Sequence, residues 1–163
     1  MIPLCIEPFA VDRRIDVSVL VRDPQRRVLM VQPAGRDDFV LPGGSVHPDE
    51  SLAQAAARLL AYDLGMHRTT EGVLVRDRRP ACFDTDTTEM LHVVLDGGTM
   101  TTADAGALSL PVGGQAVKTL TWVSLSDLPK RARAHTEARV RAAYVAACSG
   151  LRLRADAGQF CAA

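Results

Sequence analysis

The sequence predicts an α+β domain with α/β/α layering, in which helices cover a mixed, mainly antiparallel sheet. Three observations carry this expectation. Residues 15–21, IDVSVLV, alternate apolar and polar side chains with the period of a strand. From Glu50 to Leu64 the composition switches to helix formers, with Leu52, Ala56, Leu59, Leu60 and Leu64 near helical spacing. Three further β-rich runs and a second Ala/Arg-rich helix then follow, which places the helices between and after strands.

In chain order, RDPQRR supplies a turn after the first strand, and VLMVQP reads as its hairpin partner. DDFVLPGG is a short extended piece stopped by Pro42 and two glycines. The helix that follows ends at Gly65, a residue suited to a left-handed cap. GVLVRDRR and TEMLHVVLDG are the next strands, joined by a polar loop holding Cys82, Asp84 and Asp86. ADAGALSLPVGGQ reads as loop, VKTLTWVSL as a strand, and SDLP as its cap-and-turn ending. A second helix is expected from about Arg133 to Cys148, and residues 150–163 show no period and are expected to fray. The chain reads as one domain over 1–163, with its core at about 14–148.

The totals exclude several classes. Of 163 residues, 47% are hydrophobic and 23% charged, enough for a real core. Nineteen Lys+Arg balance nineteen Asp+Glu, so bulk charge recruits neither nucleic acid nor an anionic membrane. The apolar runs fall short of the roughly 20 residues of a membrane span. Cys5, Cys82, Cys148 and Cys161 form no CxxC pair, and the first residues carry no basic region or long apolar run of a signal peptide. A reduced, cytoplasmic protein is therefore expected, and without paired Cys/His spacing no zinc site is.

The segment from Leu41 to Met66 resembles a known family. The Nudix box places a glycine, five residues, a glutamate, seven residues, and then Arg-Glu-hydrophobic-any-Glu-Glu-any-Gly-hydrophobic. Gly44, Glu50, Arg58, Leu60, Gly65 and Met66 fall on this frame without a gap, and LPGG and TWVSLSDLP resemble its flanking pieces. The resemblance covers roughly residues 14–148 and implies the Nudix fold. It assigns Gly43, Gly44, Arg58 and Gly65 to the structural frame of the box, with Glu50 and Arg58 paired to hold the loop against the helix.

The departures concern chemistry. Where the family has Arg-Glu this chain has Arg58-Leu59, and where it has Glu-Glu this chain has Tyr62-Asp63. In the family those three glutamates share one helix face, as positions i, i+3 and i+4 do, and bind the Mg²⁺ that supports attack of water on a diphosphate. Asp63 alone remains, and its side chain is shorter by one methylene, about 1.5 Å of reach. Mg²⁺ needs hard oxygen ligands in octahedral geometry. Asp63 with the Gly44 carbonyl is therefore expected to hold Mg²⁺ or Mn²⁺ weakly, and no cofactor is required.

The remaining candidates are few. His47, Glu50, Asp63 and Glu89 are the acid–base candidates, and Phe39, Tyr62, Arg36 and His92 the candidate substrate contacts. On TEMLHVVL, Glu89 and His92 point to opposite faces, and the alternation leaves open which one meets the cleft. Three functions follow. The leading one is a Nudix-fold enzyme turned to metal-independent acid–base chemistry on a small molecule, in specialised biosynthesis. The alternatives are a Mg²⁺-dependent hydrolase of a nucleoside diphosphate derivative with a one-carboxylate site, and a ligand-binding domain without turnover. The expected partner is a small molecule such as a diphosphate, not nucleic acid or membrane. The family also suggests a homodimer, although no apolar stripe demands one.

Overall fold

A computed structural model describes residues 13–82, 88–156 and 159–162, with 154–156 and 159–162 followed as backbone. The chain order is β1 (Arg14–Arg22), β2 (Val28–Pro33), β3 (Gly43–Ser45), α1 (Leu52–Leu64), β4 (Val73–Arg79), β5 (Met90–Thr99), α2 (Thr102–Ala107), β6 (Val117–Val123), α3 (Leu128–Arg131), α4 (Ala134–Ser149), β7 (Leu153–Asp156) and β8 (Gln159–Ala162). The strands form one mixed sheet in the order β6-β2-β1-β5-β4-β7-β8, with β3 paired to β1. The β1–β5 and β4–β7 pairings are parallel and the others antiparallel.

Alternation along β1 divides the core into two layers. Val17, Val19 and Val21 face α1 and pack with Ala55, Ala56, Leu60 and Leu64. Leu20 faces α4 and packs with Val75, Val94, Val140 and Ala143. The sheet is thus covered on both faces, as the α/β/α expectation requires.

Helix α1 is specified at both ends. Ser51 accepts a hydrogen bond from the Gln54 amide, while Gln54 Oε1 accepts from the Ser51 amide, a reciprocal capping box. Gly65 closes the helix at φ 62°, where its N–H reaches the Ala61 and Leu60 carbonyls.

The sheet opens where the site forms. β2 meets β1 at its far end, Arg22 opposite Val28, and then diverges. β3 fills the gap at the other end, pairing Asp16 with Ser45, Val17 with Gly44 and Ser18 with Gly43. Gly43 runs so close to β1 that a Cβ there would lie 2.1 Å from the Val17 carbonyl oxygen and 2.7 Å from Ser18 Cα.

Two segments differ from the sequence reading. The stretch read as loop contains α2, six residues capped by the Thr101 hydroxyl, which accepts from the Asp104 amide. It is too short to leave a helical period in the pattern. The tail expected to fray forms the β7–β8 hairpin, and β7 extends the sheet beside β4. Four-residue strands show too little alternation to be read from sequence. Among the described residues, no helix is long and apolar enough to cross a membrane.

Candidate active site

A cavity of about 380 Å³ opens on the α4 side of the sheet, between β1, β5, the end of β4, the 33–44 segment and the start of α4. Arg14, Arg36, Arg79 and His135 stand exposed at its rim. Ser18, His92 and Arg139 form a largely buried floor. Among the described residues Asp16 is the one carboxylate in the lining, against four arginines. A chain of zero net charge therefore gathers four guanidiniums around one concave site, three of them paired with Asp16, Asp38 and Asp77, and donors facing a concave site attract anions.

The arginines differ in how they are held. Arg14 Nε donates to Asp16 Oδ1 at 3.1 Å, and its Nη2 donates to Ser45 Oγ at 3.0 Å. Arg36 makes a forked pair with Asp38, at 3.0 and 2.6 Å. That pair holds the Asp38 carboxyl below its ordinary range, the Arg36 hydrogen bond being the main cause. Arg139 Nη2 and Nε donate to buried Asp77 Oδ2 at 2.9 and 3.3 Å. Arg79 has no carboxylate partner among the described residues, which leaves its guanidinium available to a ligand.

On the floor, Ser18 Oγ and His92 Nε2 are hydrogen-bonded at 2.8 Å. β1 and β5 run parallel with Asp16 opposite His92, which brings the two side chains to the same face. Burial, followed by the Arg139 charge, lowers His92 to about 4, so its imidazole is neutral near neutral pH. Burial likewise lowers His135, with the neighbouring arginines adding to it.

The structure separates the expected site residues. Arg36, Gly43, Gly44 and His92 meet at the cavity. Alternation along β5 places His92 on the cavity face with Met90 and puts Glu89 on the opposite one. Glu89 is buried there between Arg13 Nε, 2.6 Å away, and Arg78 Nη2, 3.1 Å away. The Arg78 hydrogen bond is the main reason its carboxyl is lowered, so it is a paired anion rather than a base facing the cavity.

Glu50 and Arg58 form the expected clamp. Arg58 Nε donates to Glu50 Oε2 at 3.0 Å, Arg58 Nη2 also bonds Glu50 Oε1, and the same nitrogen reaches the Ser45 carbonyl at 3.1 Å. Glu50 Oε1 accepts from the His47 amide at 2.8 Å. The Arg58 hydrogen bond leads in lowering Glu50 to about 2. Such a carboxylate is a poor base, and neither Glu50 nor His47 lines the cavity. The His47 ring projects from the loop with 64% of its side chain exposed.

Phe39 lies in the core beneath α4 with the Arg131 guanidinium 5.6 Å from its ring centre, and so is not a cavity wall. Tyr62 is 79% exposed. It sits midway between Leu60 and Leu64, which face the sheet, and two helical residues turn it to the other side. Asp63 borders a separate cavity of about 140 Å³ lined by Val31, Pro33, Val40 and Val117 among others. Burial raises its carboxyl, and the Arg58 charge opposes that. Asp84 and Asp86 lie outside the described residues, and Cys82 is exposed.

The position of the family's first helical glutamate is filled by hydrocarbon. A Cβ on Gly44 would lie 3.1 Å from Leu59 Cδ2, so the leucine packs directly on the glycine whose carbonyl was a candidate ligand. Among the described residues no three His, Cys, Asp or Glu side chains converge as a metal-holding group. These donors do not fit the multi-ion cluster that the resemblance implies.

A layered sheet carrying a glycine loop, a capped helix and a Glu–Arg clamp defines a Nudix-type architecture. The NUDIX domain model matches residues 12–144, and the chain belongs to this family. Solved structures agree on the fold. A MutT protein from Methanosarcina mazei Go1 is 20% identical with a TM-score of 0.62, covering 88% of this chain and 97% of its own. A NUDIX hydrolase from Nitrosomonas europaea is 16% identical with a TM-score of 0.62, covering 83% and 90%. A UDP-X diphosphatase is 14% identical with a TM-score of 0.71, covering 92% of this chain and 70% of its own. No curated protein matches the sequence significantly.

Sequence reasoning missed Ser18, Arg14 and Arg139 as cavity residues, while Arg79 was one of several arginines able to bind phosphate or carboxylate. The alternation that sends Leu20 and Val94 toward α4 was a usable signal for Ser18 and His92, because each lies two residues away on the same strand. No signal linked the arginines, which come from four separated segments.

Proposed function

We propose that this Nudix-family chain is an enzyme that binds an anionic small molecule in the arginine-lined cavity and acts on it without the family's metal cluster. The observation that carries the reading is the convergence of Arg14, Arg36, Arg79 and Arg139 on a cavity whose lining, among the described residues, holds one carboxylate. Its volume, about 380 Å³, suits a small ligand. Guanidinium groups bind phosphate and carboxylate oxygens in pairs, and among the described residues Arg79 supplies donors not spent on a carboxylate. A diphosphate is the favoured ligand, since its several anionic oxygens match several guanidiniums. The packing of Leu59 on Gly44 supports independence from the metal, because it puts methyl groups where a hard cation needs oxygen.

The test is product analysis with ADP-ribose and a UDP-linked sugar, in chelator and in Mg²⁺, on the wild type and on Arg79→Ala and Asp63→Ala. Consumption of one probe in chelator, with KM raised by Arg79→Ala and unchanged by Asp63→Ala, is the expected result. Turnover that needs Mg²⁺ and vanishes in Asp63→Ala would replace this reading with the one-carboxylate hydrolase. Saturable binding without product would make the chain a ligand-binding domain.

A further inference from the structure

We propose that Ser18 is a nucleophile, activated by His92, that attacks a phosphoryl centre of the anion held in the cavity. This inference rests on the anion-binding reading above. Four features support it. Ser18 Oγ lies 2.8 Å from His92 Nε2, within reach for proton transfer. Both residues line the cavity, with Ser18 at its buried floor. Burial and the Arg139 charge keep the His92 imidazole neutral, so a ring nitrogen lone pair is free to face the serine hydroxyl. The ring accepts the serine proton only as the nearby carboxylates offset that burial. Asp77 stands opposite His92 in the β4–β5 register, buried, with Oδ1 lacking any hydrogen-bond partner while Oδ2 binds Arg139. Asp16 and Asp77 thus set negative charge near the ring as it becomes an imidazolium, against the opposing charges of Arg139 and Arg79.

The step balances without a metal. Ser18 Oγ attacks phosphorus as its proton passes to His92 Nε2. The new O–P bond forms while the bridging P–O bond of the diphosphate breaks, and the leaving oxygen takes the electron pair and then the proton from His92. In a second displacement water attacks the phosphorus as His92 takes its proton, the Oγ–P bond breaks with its electron pair going to Ser18 Oγ, and Oγ takes the proton back from His92. Arg79 and Arg139 offset the charge that develops on the phosphoryl oxygens.

An alkyl fluorophosphonate tests the pair directly, because attack by serine displaces fluoride and leaves a stable adduct whose site mass spectrometry reads. Wild-type protein is expected to be modified at Ser18, with inorganic diphosphate protecting it. His92→Gln is expected to slow modification at least tenfold with the far-ultraviolet spectrum unchanged. The wild-type rate is expected to fall as pH drops through the His92 titration. Absence of an adduct on Ser18 of the wild type, under conditions that modify a reference serine hydrolase fully, would overturn the inference. So would a rate unchanged in His92→Gln. Calorimetry with inorganic diphosphate separates the two readings. Diphosphate bound with Ser18 unmodified refutes the nucleophile alone. Ser18 modified with no diphosphate bound refutes the anion site and keeps the nucleophile.

Discussion

Replacing Arg139 with methionine isolates the interaction that joins the cavity floor to the core. Asp77 and Arg139 are 3% and 9% exposed at the side chain, and the carboxylate takes both of its hydrogen bonds, at 2.9 and 3.3 Å, from this one guanidinium. Among the described residues Asp77 Oδ1 already lacks a partner, so Arg139→Met leaves a buried carboxylate with no donor there. Breaking a buried pair in this one-sided way costs about 3–5 kcal/mol. In a chain of this size that corresponds to a fall in Tm of roughly 6–20 °C. Removing both charges, in Asp77→Leu/Arg139→Met, is expected to return the protein to within about 1–2 kcal/mol of wild type, since replacing a buried pair by packed apolar groups is often close to neutral. Urea denaturation of the ligand-free protein, with Tm from calorimetry, measures all three. A single variant within about 1 kcal/mol of wild type, or a double variant no better than the single, would refute the reasoning.

Acidification and the box glycines give two further expected outcomes. His92 is lowered from its ordinary 6.5 to about 4, so between those values the unfolded chain binds a proton that the folded chain refuses. Stability is thus expected to fall as pH drops from 6.5 to 4, by roughly 3 kcal/mol at full extent. His92→Gln should flatten that segment of a stability-versus-pH curve, and an unchanged slope would contradict the assignment. Glu50, lowered from 4.5 to about 2, adds a second loss in the same direction below pH 4.5. Gly43→Ala pushes a Cβ into the backbone of Val17 and Ser18, and is expected to cost the upper part of the roughly 1–3 kcal/mol range for overpacking. Gly44→Ala meets only the movable end of Leu59, and denaturation should show a loss below about 1 kcal/mol. Equal losses at the two glycines would show that backbone approach is not what selects Gly43.

Local pattern made much of the fold legible. The alternation of IDVSVLV, the short apolar run of VLMVQP after a turn, the apolar spacing of α1 and the glycine at its end each report on neighbours a few residues away. The Glu50–Arg58 clamp was legible through the resemblance to the Nudix box, whose frame sets the two residues eight apart on a loop and a helix. The cavity was not, because its chemistry is assembled by long-range pairing. Ser18 and His92 are 74 residues apart and meet through the parallel β1–β5 ladder, and Arg139 reaches Asp77 across 62 residues. Balanced composition also hid the local excess of arginine. Tyr62 and Glu89 are instructive in another way, since each sits at a motif or cleft-facing candidate position that geometry turns elsewhere. Helix phase points Tyr62 outward, and strand alternation hands the cavity to His92 instead of Glu89.

Calorimetric titration of inorganic diphosphate into the protein in chelator, repeated with Mg²⁺ present, bears most directly on metal-independent anion binding in the arginine-lined cavity. Saturable binding in chelator, weakened by Arg79→Ala and untouched by Asp63→Ala, is the expected result. Binding that appears only with Mg²⁺ and is lost in Asp63→Ala would contradict it, and would return the chemistry of this chain to the single carboxylate left on the Nudix helix.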